Sequence, residues 1–104
     1  MAQFDVYVNE SNIQRDAIPF LLNIQSDSLA ELRTRVVAPL RLRMATKAVS
    51  NRLNPAFIIG EREVVLMIQE LLYLPTAVLG RRVMSLAEDR ERIIRALDLL
   101  VVGF

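Results

Sequence analysis

The C-terminal stretch Ser85 to Phe104, SLAEDRERIIRALDLLVVGF, constrains the chain most, because a helical period is plainest there and then gives way. Ser85 and Glu88 have the spacing of a capping box, in which the serine hydroxyl accepts from an unsatisfied first-turn N–H and the glutamate reciprocates. Glu88 and Asp89 suit the positive end of the helix dipole, and Glu88 to Arg92 and Glu91 to Arg95 are favourably ordered pairs. Ile93, Leu97 and Leu100 form one stripe, as expected of a helix lying on a core. From Leu97 to Phe104, however, Asp98 is the only polar side chain. A helix apolar on every side must be covered on every side, and a small core covers one. Another molecule is therefore expected to cover Leu100, Val101, Val102 and Gly103, the bland alternative being a frayed helix end with surplus leucines.

The rest of the chain limits what such a surface can serve. With 104 residues, residues 1–104 form a single domain that buries about 65% of its unfolded surface, few enough residues for dimerisation to matter. Cysteine and histidine are absent, which removes disulfides, thiolate and imidazole chemistry and the commonest zinc ligands. The net charge of +1 gives little long-range attraction to nucleic acid or membranes. Apolar runs are shorter than a membrane span and the first residues do not read as a secretory signal, so a cytoplasmic location is expected.

In chain order, Gln3 to Val8 alternates, with Phe4, Val6 and Val8 on one side, and reads as a half-buried strand. Asn9 to Gln14 reads as an exposed connection. After Pro19, Phe20, Leu22 and Ile24 are in phase for a second strand, ended by Gln25-Ser26-Asp27-Ser28, after which Leu29 and Leu32 are placed to touch the core. Arg33 to Arg43 has the cleanest period of two: Thr34, Val36, Ala38, Leu40 and Leu42 against a face with Arg33, Arg35, Arg41 and Arg43. Those arginines form either a solvated strand face or a docking strip for an acidic peptide. Pro39 cannot donate to a ladder, so this strand is expected at an edge or bent.

Met44 to Leu53 is open between a helical turn and a loop. Ala56 to Ile59 and Glu63 to Ile68 flank Gly60-Glu61-Arg62 as a hairpin, and their continuous apolar character suggests central strands covered on both faces. Gln69 to Tyr73 has the length of a helical turn, Pro75 forces extended backbone on Leu74, and Thr76 to Leu79 reads as a last short strand stopped by Gly80. Short strands with frequent turns, closed by one helix, predict a strongly bent antiparallel sheet or small barrel. The paired acids Glu61/Glu63 and Glu88/Asp89 have plain turn and helix-start roles, and neither has the convergent base and nucleophile of a catalytic site. No catalytic residue, metal ligand or cofactor is predicted.

The order of the motifs QFDVY, LLNIQSD (Leu21 to Asp27), RVVAPL (Arg35 to Leu40), LNPAFIIGE (Leu53 to Glu61), LPTAVLG (Leu74 to Gly80) and a terminal helix ending in Gly-Phe resembles the CcdB family of bacterial toxins over nearly the whole chain. The resemblance implies a mainly β fold with one C-terminal α-helix: an SH3-like barrel of the CcdB/MazF type, with a five-stranded antiparallel sheet, a small accessory sheet and a symmetric homodimer. It also implies a toxin that binds the DNA gyrase A subunit, traps the DNA-cleaved complex and is neutralised by a CcdA-like antitoxin, without itself contacting nucleic acid or membrane.

By position, the family's gyrase contacts fall on Phe4, Ser28, Leu29, Asp98, Val102, Gly103 and Phe104. Here Val102-Gly103-Phe104 stands where the family has Trp-Gly-Ile, Asp98 replaces an asparagine, and Ser28-Leu29 replaces two isoleucines. The antitoxin contacts implied by the resemblance lie near the first loop and between Arg41 and Leu53, where Arg41, Arg43, Lys47 and Arg52 give a basic border. Two further readings stay open: an endoribonuclease toxin of the same fold, and a non-toxic member that only binds an antitoxin.

Overall fold

Residues 1–11 and 14–104 are described by a computed structural model, in which the period-two stretches pair as antiparallel strands. These are β1 (Asp5–Asn9), β2 (Phe20–Asn23), β3 (Thr34–Leu42), β4 (Ala56–Ile59), β5 (Arg62–Leu66), β6 (Leu72–Pro75) and β7 (Leu79–Ser85), followed by α1 (Arg90–Val101). The chain is mainly β with one C-terminal helix and a curled antiparallel sheet, a half-barrel of the small barrel-like kind the sequence predicts. Hydrogen bonds order six strands as β4-β5-β3-β2-β1-β7 and add β6 to β3, so all seven share one sheet.

β3 organises the sheet, and Pro39 organises β3. On one side residues 37–40 of β3 pair with β2, Leu21 facing Pro39. On the other, residues 34–37 pair with β6 and residues 40–42 with β5. Proline has no N–H to give, so the second neighbour changes where the donor is missing. The strand is therefore central, and the expected irregularity takes the form of a split in its neighbours. Leu22, Ala38 and Leu40 lie on one face with Val6, Phe57, Val64 and Leu66, packed against Ile93 and Ala96 of α1. Leu21 and Val37 lie on the other with Ile18, Leu72 and Leu74.

Several expectations are corrected by burial. β1 is covered on both faces: Asp5 and Tyr7 are buried like Val6. Asp5 is held by Arg82 at 3.0 Å and accepts from the Ala2 N–H at 3.1 Å. Burial pushes its carboxyl pKa up, but the hydrogen bonds and charge of Arg82, Ala2 and Tyr7 outweigh this and hold it below the ordinary value. The Tyr7 phenol is pushed up by burial and by Asp5. Asn9 is also buried rather than part of an exposed connection, its amide donating to the Ile18 carbonyl at 2.9 Å; residues 12 and 13 of that connection lie outside the described residues.

Leu29 and Leu32 are exposed and do not reach the core. Arg33 to Arg43 is not a free basic strip: Arg35 is buried, donating to the carbonyls of Ala30, Leu32 and Thr34. Met44 to Leu53 resolves into a 3-10 turn at Arg43–Ala45, then loop and turn. The hairpin forms on the positive φ of Gly60, +64°, but β4 is an edge strand with Ile58 70% exposed, because no strand lies beyond it. Residues 68–70 form a 3-10 turn, and β6 follows from Leu72.

Thr76–Val78 is a 3-10 turn and not a strand. The strand after it, β7, runs through Gly80 because glycine lets β1 come close: a Cβ there would stand 2.7 Å from the Val8 carbonyl oxygen. At the helix entrance Ser85 Oγ accepts from the N–H of Ala87 at 3.1 Å, not from Glu88, because a 3-10 turn, Ala87–Asp89, precedes α1. Arg92 accordingly pairs with Asp89 at 3.2 Å instead of Glu88, whereas Arg95 does meet Glu91, at 3.7 Å.

Candidate functional site

α1 is anchored through its middle turns. Ile93 and Ala96 are fully buried and Leu97 packs against the same core. The Arg92 guanidinium lies 4.5 Å from the centroid of the Phe57 ring and donates to the Ala56 carbonyl at 2.8 Å. The last turn is different: Leu100 is 39% exposed, Val101 71%, Val102 58% and Phe104 81%. Gly103 ends the helix with φ +95°, its N–H shared between the Asp98 and Leu99 carbonyls at 3.1 Å. That left-handed closure suits glycine and turns Phe104 off the helix path.

The remaining residues predicted for the same surface are dispersed. Ser28 and Leu29 sit in an exposed 3-10 turn, Asp27–Leu29, capped by Ser26 and tied to the N-terminus by the Gln3 N–H donating to Asp27 at 2.8 Å. Phe4 is only 2% exposed, a core residue at φ +69° with the Arg90 guanidinium 6.0 Å from its ring centroid. Phe4 and Arg90 thus mark the start of α1, whereas Asp98 and Val102 lie about 12 and 18 Å further on at about 1.5 Å per residue. Within one chain the predicted contacts fall into two groups.

The basic border is also divided. Arg41 is engaged by Glu70 through two contacts, Nε to Oε1 at 2.7 Å and Nη2 to Oε2 at 3.2 Å, and by Gln14 at 2.9 Å. Arg43 lines a cleft of about 430 Å³ with Arg62, Glu61 and Glu63, so two acids match its two cations. Lys47 is exposed in the loop. Arg52 projects from a turn that sequence reasoning left open, and the turn is rigid for a reason the sequence hides. Asn54, 1% exposed, donates to the Leu66 carbonyl at 3.0 Å and to Gln69 at 2.7 Å, and accepts from the Val49 N–H at 2.8 Å. Asn54-Pro55 reads only as a break; nothing local marks the asparagine as buried.

Arg52 shares a cleft of about 250 Å³ with Asn51, Pro55, Arg92 and Arg95. Nothing in this set of arginines, loop ends and aliphatic side chains supplies a nucleophile with a base beside it. What the geometry offers is binding: an apolar helix tip and separate cationic notches. No helix among the described residues is long and apolar enough to cross a membrane.

Fold and surface together define a small barrel-like β domain in which Leu100, Val101, Val102 and Phe104 form a consecutive stretch of exposed apolar side chains at the end of α1, while Met44, Val49, Ile58 and Tyr73 are exposed singly elsewhere. The family comparison gives this a lineage: the chain matches the CcdB protein family model over residues 3–103 and belongs to the CcdB family. Membership makes it a toxin of the toxin–antitoxin kind rather than an enzyme of the usual type. No curated protein matches the chain.

Proposed function

We propose that the protein poisons DNA gyrase in the cytoplasm: as a symmetric dimer it binds the A subunit, holds the enzyme in its DNA-cleaved state, and is released from this role by a CcdA-like antitoxin. The observation that carries the reading is the run of exposed apolar side chains at the end of α1 in a chain of this family: Val102, Gly103 and Phe104 stand where the resemblance implies gyrase contacts, and Leu100 and Val101 adjoin them. A two-fold axis at this tip sets two copies of Leu100, Val101, Val102 and Gly103 side by side, covering apolar surface and presenting a bivalent patch from two short chain ends. Asp98 and Phe104 flank it, and Ser28 and Leu29 supply the outlying contacts; buried Phe4 supports the start of α1 rather than touching the target.

Val102 lacks the indole that stacks on a partner guanidinium, an interaction of about 0.5–2 kcal/mol, so binding is expected about 2- to 30-fold weaker than through tryptophan. The purified protein is tested against the dimerisation domain of the gyrase A subunit, with DNA cleavage by intact gyrase measured alongside. Saturable binding with accumulation of linear DNA is expected. A folded dimer that binds no gyrase would overturn the poison reading. The valine at 102 would then favour a member that binds an antitoxin without being toxic.

A further inference from the structure

Two arginines on one face of α1 and one on the neighbouring turn converge without enough acid to neutralise them. Arg52, Arg92 and Arg95 line the cleft of about 250 Å³ beside Asn51 and Pro55. Their local acids are Asp89, 3.2 Å from Arg92, and Glu91, 3.7 Å from Arg95. The second distance exceeds hydrogen-bond range, and its partners are 75% and 87% exposed. Arg52 has no carboxylate within 4.0 Å among the described residues. Arg92 uses one guanidinium nitrogen on Asp89 and the other terminal one on Ala56, which leaves further N–H donors of its planar fork unused.

The notch is also held in shape before anything binds. Arg92 is fixed by the Phe57 ring, the Ala56 carbonyl and Asp89. The turn bearing Arg52 is closed by the Leu53 N–H donating to Ser50 Oγ at 3.1 Å and the Asn54 N–H to the Ser50 carbonyl at 2.8 Å, and buried Asn54 pins it to β5 and to Gln69. A cationic fork whose donors are already oriented loses less side-chain freedom on meeting a carboxylate.

We infer that Arg52, Arg92 and Arg95 form a carboxylate-docking notch that takes acidic side chains of the antitoxin. This rests on the proposed toxin–antitoxin reading and alters it: of the basic border, Arg41 is engaged by Glu70, Arg43 and Arg62 share their cleft with Glu61 and Glu63, Lys47 is exposed in its loop, and Arg52 joins a cleft whose other cations, Arg92 and Arg95, come from the helix. The partner chemistry is an extended or disordered segment carrying at least two closely spaced Asp or Glu residues, because the open guanidiniums of Arg52 and Arg95 line the same small cleft as the fixed one of Arg92.

The test is titration of the full-length protein with its full-length antitoxin at low and high salt, using wild type, Arg52→Gln, Arg95→Gln, the double Gln variant and Arg43→Gln. Each notch variant is expected to weaken binding about 3- to 10-fold at low salt and the double variant more, with a flatter salt dependence, while Arg43→Gln stays within about 2-fold. The substituted side chains are exposed, and unchanged thermal unfolding verifies that the fold is intact. A double variant that binds within 2-fold of wild type overturns the notch and leaves the toxin–antitoxin reading standing. A wild-type protein that fails to bind the antitoxin at all overturns that reading itself.

Discussion

The middle turns of α1 and the chain end that follows them both carry apolar side chains and have opposite fates. In the middle turns Ile93 and Ala96 are fully buried and Arg92 is clamped on Phe57; at the chain end Val101 and Phe104 are 71% and 81% exposed. What separates them is spacing. Apolar residues three and four apart fall on the face that meets the sheet, whereas consecutive ones go round the helix and exceed what one core covers. Periodicity thus marks the chain's own interior, and loss of periodicity without loss of hydrophobicity marks a surface for another molecule.

The contrast can be broken most directly by Ile93→Ala. Truncating a fully buried isoleucine is expected to cost about 2–5 kcal/mol in chemical denaturation, whereas Phe104→Ala should cost under about 0.5 kcal/mol in the dissociated chain yet weaken gyrase binding at least 10-fold. If both variants lose similar stability, the helix tip is core and the division is wrong. The arginines provide a finer version. Arg92→Ala removes a ring contact, a carbonyl hydrogen bond and an ion pair and should cost about 1–2 kcal/mol, while Arg95→Ala, with its exposed pair, should stay within about 0.5 kcal/mol. The same denaturation curves compare the two.

Gly103 sharpens the comparison at the tip. Its φ of +95° makes any side chain strained, so Gly103→Glu tests charge only beside Gly103→Ala, which shares the strain. The alanine variant should lose about 1 kcal/mol confined to the last turn, seen as faster exchange of the Val102 and Gly103 amides, and retain gyrase binding; the glutamate variant should abolish it. Equal binding by the two would remove the tip from the gyrase surface. Acid should act at the other edge of the molecule and on a smaller scale. The Asp5 pKa is lowered in the folded state, so its contribution is complete above the unfolded value of about 3.9 and is lost as pH falls through the folded one. Asp5→Asn should flatten the fall in denaturation midpoint below about pH 4, and an unchanged slope would assign that fall to other carboxylates.

What the sequence revealed followed the same division. Alternation and turn formers placed β2, β3 and the Gly60 hairpin, and broken periodicity exposed the helix tip. Alternation failed at β1, where Asp5, Tyr7 and Asn9 are polar by composition but buried because Arg82 and the Ile18 carbonyl satisfy them. It failed again at β4, whose apolar run implied a central strand though Ile58 lies open at an edge. Local pattern reports what a residue prefers; partners far along the chain decide whether a polar group is satisfied inside. The clamp made by Arg92 and the burial of Asn54 are hidden from local pattern for that reason, since each acts through a residue remote in sequence, Ala56 and Leu66 respectively.

The hydrogen bond from Arg92 to the Ala56 carbonyl has one more consequence. β4 borders the sheet, and a bordering strand offers unpaired backbone groups that can template stacking with other chains. With only the residues Ala56–Ile59 and a guanidinium already seated on its first carbonyl, β4 is a poor template for fibrillar stacking through this edge.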